Sequence, residues 1–146
     1  GGGDRPGDAA LRERITAAGL HPGSVMTPTM TRMAYLTLRG ITVARLLSSL
    51  SEPHPRIVEV HPGAALALRG ANVPDVRSFK VDPGALQRLL GWLFRQGINL
   101  SGVQKEASDH HVAACAAALA AWKWDLGESA WRLPADPPHH PFDLAC

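Results

Sequence analysis

Only one stretch of this 146-residue chain has the make-up of a β-strand, and that scarcity limits its fold more than anything else. Arg56-Ile57-Val58-Glu59-Val60-His61 is short, β-branched and bounded by Pro55 and Pro62. A lone strand leaves its backbone N–H and C=O groups unpaired, so this one needs neighbours along its edges. The stretches around it read as helices, several opened by a proline at the first helical position. Helices flanking an apolar strand are the covering layers of an α/β fold. The expected architecture is therefore a single α/β domain over residues 1–146, helix-rich and with few strands of its own. The remaining strands are expected from an N-terminal segment outside this sequence or from another chain.

The helices are marked by periodicity and by their ends. Asp8 caps a helix over 9–18, with Leu11 and Ile15 inward and Gly19 as its stop. Thr27-Pro28 opens a longer one whose stripe is Met33, Leu36, Gly40, Val43, Leu47 and Leu50. Pro62 starts a short helix through Leu68, ended by Gly70. Residues 71–82 read as irregular, with 78–81 as a weak strand. Asp82-Pro83 opens a helix with Leu86, Leu89, Leu90 and Leu93 inward and Gly97 as its stop. The alanine-rich run from Ser108 to Gly127 is the strongest helix signal, because alanine loses no side-chain entropy on ordering. Its stripe is Val112, Cys115, Leu119, Trp122 and Leu126, with Asp109 near the top of it. The proline-rich tail, 134–146, is expected to pack as an extended segment.

Composition narrows the class. An apolar content of 45% is ordinary for a globular protein and far from a disordered composition. Fifteen Lys and Arg against thirteen Asp and Glu leave a net charge of +2, which neither demands nor excludes nucleic acid as a partner. The two cysteines, Cys115 and Cys146, do not make a disulfide framework. No apolar run approaches the roughly 20 residues of a membrane helix, and no signal peptide is seen, so no membrane association is expected and the expected compartment is the cytoplasm.

Two acids stand out. Alternation places Glu59 mid-strand on one face with Ile57 and His61, and a carboxylate there must be paired or bind a metal. An ion pair with an arginine such as Arg69 is the structural reading. Asp109 opens the alanine-rich helix, where an acid also serves as a cap at the positive end of the dipole. Taken together, Glu59 and Asp109 suggest an oxygen-ligand site for Mg²⁺ or Mn²⁺, ions that activate water and stabilise charge on a transferring phosphoryl group. Lys80, His61 and His110 are the candidate substrate contacts; Lys80 and His61 also have a plain reading, as a solvated lysine and a hydrogen-bonded structural histidine. His110 and His111 point about 100° apart on a helix and do not readily share one ion. No phosphate-binding glycine loop, zinc spacing or Gly-x-Ser-x-Gly elbow is present.

Several stretches resemble an uncharacterised family of predicted RNase H-like nucleases, the domain of unknown function numbered 429. They are Arg5-Pro6-Gly7-Asp8 with Leu11-Arg12; Met26-Thr27-Pro28-Thr29-Met30; and Leu36-Thr37-Leu38-Arg39-Gly40. Val58-Glu59-Val60-His61-Pro62-Gly63, Lys80-Val81-Asp82-Pro83-Gly84-Ala85-Leu86, Asp109-His110 through Ala121-Trp122, and His140-Pro141-Phe142-Asp143 follow in the family's order. The resemblance implies an RNase H-like fold, of which this chain would be the helix-rich C-terminal portion. It matches Glu59 to the family's strand acid and Asp109 to its helix acid, both metal ligands; the first-strand aspartate has no counterpart here, and Ala113 stands where many members carry a second helix aspartate. The expected function is a metal-dependent nuclease-like phosphodiesterase acting on nucleic acid, incomplete in this chain. The alternative is a non-catalytic RNase H-like binding or assembly module, in which Glu59 is ion-paired and Asp109 is a cap. A third reading, a small-molecule enzyme, would use His61, His110 or His111 for acid–base work.

Overall fold

Leucine spacing and proline-led helix starts decide how the chain is laid out. The computed structural model describes residues 3–27, 32–50, 52–102 and 107–146. In chain order the elements are α1 (Pro6–Ala17), a 3₁₀ turn (Pro22–Ser24), α2 (Arg32–Ser48), β1 (Val58–Val60), α3 (Pro62–Leu68), α4 (Val73–Ser78), α5 (Pro83–Arg95), α6 (Asp109–Asp125), β2 (Arg132–Leu133) and β3 (Asp143–Ala145). The architecture is α/β: a small sheet with helices packed around it. Among the described residues, no helix is long and apolar enough to cross a membrane.

The sheet runs in the order β1-β3-β2. β1 pairs parallel to β3, with Glu59 opposite Leu144 and Val60 opposite Ala145, and β2 pairs antiparallel to β3. The strand partner expected from outside the chain thus comes, along one edge of β1, from the chain's own tail. Asp143-Leu144-Ala145 has little β propensity, yet it is the central strand because both its neighbours supply hydrogen-bond partners. Along the other edge of β1, no strand pairs with it among the described residues.

α5 follows from its sequence. The Asp82 carboxylate accepts from the Gly84 N–H at 2.8 Å, and Leu86, Leu89, Leu90 and Leu93 are all buried. Gly97 follows with φ +92°, a backbone conformation that glycine adopts without steric cost. α3 runs over Pro62–Leu68 as its proline and Gly70 predict, and brings Ala64, Ala65 and Leu66 into the core. Ile15, Leu66, Leu89, Leu93, Leu100 and Leu119 are the largest of the fully buried apolar side chains, so the core lies where α1, α3, α5 and α6 converge.

The structure departs from expectation in five places. β1 covers only Val58–Val60 of the expected 56–61. α1 begins at Pro6 instead of Ala9, with Asp8 inside the first turn. The stretch read as irregular contains α4, capped by the Asn72 side chain, which accepts from the Asp75 N–H at 3.1 Å; residues 78–81 make no strand, and Phe79 closes α4 and is buried. α6 buries Val112, Ala116, Leu119 and Ala120, while Trp122 and Leu126 are exposed. Alanine decides that rotation: a face of small side chains lets the helix approach its neighbours closely. The stripe expected on α2 stays largely open to solvent, with only Ala44 buried. Pro28, the expected first residue of that helix, lies outside the described residues.

Candidate functional site

Glu59 is held by an arginine, although not the one its sequence neighbourhood suggested. The Arg5 guanidinium donates to both Glu59 oxygens, Nη1 to Oε2 at 2.9 Å and Nη2 to Oε1 at 2.5 Å. The same guanidinium donates to both oxygens of Asp8, Nε to Oδ2 at 3.1 Å and Nη2 to Oδ1 at 2.8 Å. Asp8 is the third residue of α1 and also accepts from the Arg5 backbone N–H at 3.0 Å, closing the first turn. The two carboxylates hold Arg5 firmly protonated, Glu59 more strongly than Asp8. The result is a carboxylate–guanidinium–carboxylate bridge that ties the start of α1 to the middle of β1. Arg69 instead donates to the carbonyls of Glu128 and Cys146, each at 3.2 Å.

His61 is fully engaged at the strand's end. Its Nδ1 accepts from the Ala64 N–H at 3.1 Å, capping α3, and its Nε2 lies 2.9 Å from the Ser24 carbonyl. That pattern fits a neutral ring with the proton on Nε2, so both nitrogens serve the fold.

Asp109 and Lys80 come together elsewhere. They line an open depression of about 300 Å³ at the start of α6, with Asp82, Gln87 and Ser108 around them. The Asp109 carboxylate sits in the first helical turn, where the helix dipole favours negative charge, and makes no hydrogen bond or ion pair among the described residues. The cap is Ser108, whose N–H donates to His111 Nδ1 at 3.1 Å, with its hydroxyl 2.9 Å from the same nitrogen. His110 is exposed on the neighbouring turn. Glu59 and His61 do not line the depression that Lys80 and Asp109 share.

Among the described residues, no group of three or more His, Cys, Asp or Glu side chains is placed to hold a metal ion. The two candidate ligands do not fit one as they stand. Both Glu59 oxygens are occupied by Arg5, and Asp109 shares its depression with the Lys80 ammonium, a charge that opposes a cation. The residue sequence reasoning missed is Arg5. The spacing Arg5-x-x-Asp8 announces a closed first turn, but nothing in it points across 54 positions to Glu59.

No curated protein and no solved structure matches the chain. A family model does, over residues 1–139, and the chain accordingly belongs to the family described as protein of unknown function (DUF429).

Proposed function

We propose that the chain is a binding module of RNase H-like architecture that meets nucleic acid and does not by itself cut it. The observation that carries this reading is the Arg5 bridge: the strand acid is neutralised by a guanidinium that also satisfies Asp8. A charge so paired inside a fold serves position first: releasing Glu59 would break the two charge-assisted hydrogen bonds that tie the middle of β1 to the start of α1. The resemblance of the ordered motifs to predicted RNase H-like nucleases supports the architecture and the choice of nucleic acid. The open edge of β1 and the apolar surface of α2 support a further covering layer, strands from another chain or segment that complete the sheet.

A second reading has its own observation in favour. Asp109 has no partner among the described residues, sits at the positive end of α6 and lies beside Lys80, a lysine of the kind that contacts phosphate. On that reading the protein is a metal-dependent nuclease-like phosphodiesterase, with Glu59 and Asp109 taking Mg²⁺ or Mn²⁺ once Glu59 is released from Arg5, and Lys80, His110 and His61 near the substrate.

The readings separate in one experiment. The chain is titrated calorimetrically with Mg²⁺ and Mn²⁺ and, separately, with single-stranded DNA and RNA, and is incubated with both strands to detect cleavage. The binding module takes up strands in a salt-dependent way, takes up no metal and leaves the strands intact. Metal uptake and cleavage that both disappear in Glu59→Gln and Asp109→Asn overturn it in favour of the phosphodiesterase.

A further inference from the structure

The outward face of α5 repeats a small pattern. Gly84 is followed four residues later by Arg88, and Gly91 four residues later by Arg95. Each arginine folds back over the glycine one turn earlier: a Cβ at Gly84 would lie 3.1 Å from Arg88 Nη1, and one at Gly91 would lie 3.6 Å from Arg95 Nη1. Their partners differ. Arg88 grips Asp75 through Nε at 3.0 Å and Nη2 at 2.7 Å to Oδ1, and its guanidinium holds the Asp75 carboxyl below the usual range. Arg95 makes no ion pair or hydrogen bond among the described residues.

Between the two arginines in sequence lies Trp92, half-buried and packed in part against the core, whose indole N–H likewise has no acceptor among the described residues. These side chains line a depression of about 560 Å³ together with Asn72 and Gln87. The Asn72 carbonyl oxygen is used to cap α4, which leaves its amide N–H groups for whatever enters. Asp75 is the lone acid of this lining and is already matched by Arg88, so within the lining Arg95 adds a positive charge that no described acid balances. Gln87 also lines the Lys80–Asp109 depression, so the two hollows adjoin.

We infer that this α5 depression is a nucleotide subsite for single-stranded nucleic acid, with Trp92 the platform for a base and Arg95 the contact for its phosphate. An aromatic face beside a guanidinium is the combination that binds strands with little sequence preference. The Asn72 and Gln87 amides supply hydrogen-bonding groups for a base edge. The inference rests on the binding reading above and says where on the molecule the strand lies.

The test uses the whole chain with an oligothymidylate and a matching oligouridylate, read by tryptophan fluorescence quenching and by anisotropy of a labelled strand. Trp92→Leu keeps apolar bulk and removes the ring; Arg95→Gln alters an exposed side chain; Trp92→Phe retains a platform. The expected results are a loss of affinity of about fivefold to a hundredfold for Trp92→Leu, a smaller loss for Trp92→Phe, and a salt slope lower by about one for Arg95→Gln. Strand binding that is unchanged in both Trp92→Leu and Arg95→Gln overturns the subsite and leaves the binding reading standing. Absence of any strand binding by the unaltered chain overturns both. Equal affinity for inorganic phosphate and for the oligonucleotides also overturns the subsite, because it leaves no part for the base. Preferential capture of an acidic, aromatic peptide over either strand overturns it in favour of a protein partner.

Discussion

Two long helices of this chain share an apolar spacing and meet opposite fates. α5 turns Leu86, Leu89, Leu90 and Leu93 into the core and leaves Gln87, Arg88 and Arg95 outside. α2 has a comparable stripe, yet Leu36 is 58% exposed, Val43 52% and Leu47 38%. At 100° per residue, Tyr35 and Leu46 stand roughly opposite the buried Ala44, so apolar groups cover that helix on more than one side. Periodicity assigns residues to a common face; burial also requires an element standing opposite. α5 has α4 and α6 packed extensively against it, while α2 has no comparably extensive packing against another element among the described residues.

Substitution can break the comparison most sharply in the core. Leu89→Ala and Leu93→Ala should each lower unfolding free energy by roughly 2–5 kcal/mol, since both leucines are almost wholly enclosed and truncation leaves a cavity. Leu38→Ala and Leu46→Ala on α2 should stay within about 0.5 kcal/mol, as changes on a solvated surface do. Urea denaturation of the four variants checks both halves. If the α2 variants cost as much as the α5 variants, α2 is covered in the protein that unfolds, and the contrast fails.

Ion pairs give the next contrast. Arg5→Ala removes one guanidinium from two carboxylates, of which Asp8 is buried, and should cost about 1–3 kcal/mol. Arg56→Ala breaks a pair with Asp125 in which both side chains are more than half exposed, and should cost about 1 kcal/mol or less. Arg56 also lies 4.4 Å above the centre of the Trp124 ring, so part of that loss is stacking. Denaturation in low and high salt separates the two: the Arg56 effect shrinks with salt, and the Arg5 effect largely persists.

Acid should act through carboxylates held below their ordinary range. Asp75 is lowered by Arg88. Asp143 is lowered on balance: burial raises it, and this is outweighed by the Ala135 N–H, the Trp124 indole N–H and Arg132. Each group binds a proton more readily in the unfolded chain. Their contribution is therefore complete above the unfolded value of about 3.9 and is lost as pH falls through the lower folded values. Stability measured from pH 6 down to pH 2 should fall below about pH 4, and the fall should be shallower in Asp143→Asn.

Much of the helical layer was legible because its signals are local. Pro62, Asp82-Pro83, Gly97 and Gly127 mark ends that a reader can find without a partner element. α4 carries the same kind of signal, Asn72 as cap with Pro74 and Asp75 in the first turn, but so short a helix shows no apolar stripe and buries only Asp75 and Val76. The sheet was less legible. β3 becomes a strand only through pairing, and its three residues have no alternating apolar pattern to announce it. Of the site, the importance of Glu59 was readable from the rule that a charge within a strand needs a partner, but the partner's identity depends on how α1 lies against β1. The face of α6 is set by its alanines, which pack closer than the large residues whose spacing marks the expected stripe. Trp122 instead reaches sideways, its ring 3.6 Å from where a Cβ at Gly97 would stand.

The finest test of the contrast between enclosed and open regions is thiol chemistry. Cys146 is fully buried beside the sheet, and burial pushes its thiol up to about 12, outweighing the nearby Arg69 and the His61 backbone. Cys115 lies on the flank of α6, partly exposed, and burial raises it as well. The thiolate is the reactive form, so at pH 8 the thiols should modify in two phases, Cys115 first and Cys146 only as the fold opens. The same shift has a stability consequence with a definite sign. Above the ordinary thiol value of about 8.5, the unfolded chain loses the Cys146 proton while the folded chain keeps it, so rising pH favours unfolding. Near pH 9.5 that effect should reach about 1 kcal/mol, and Cys146→Ala should flatten the alkaline limb. The comparison is sharpened if Cys115→Ala leaves the slow phase and most of the alkaline slope in place. It is broken if the two cysteines react at the same rate in the folded protein, for then the sheet end of the core is as open as α2.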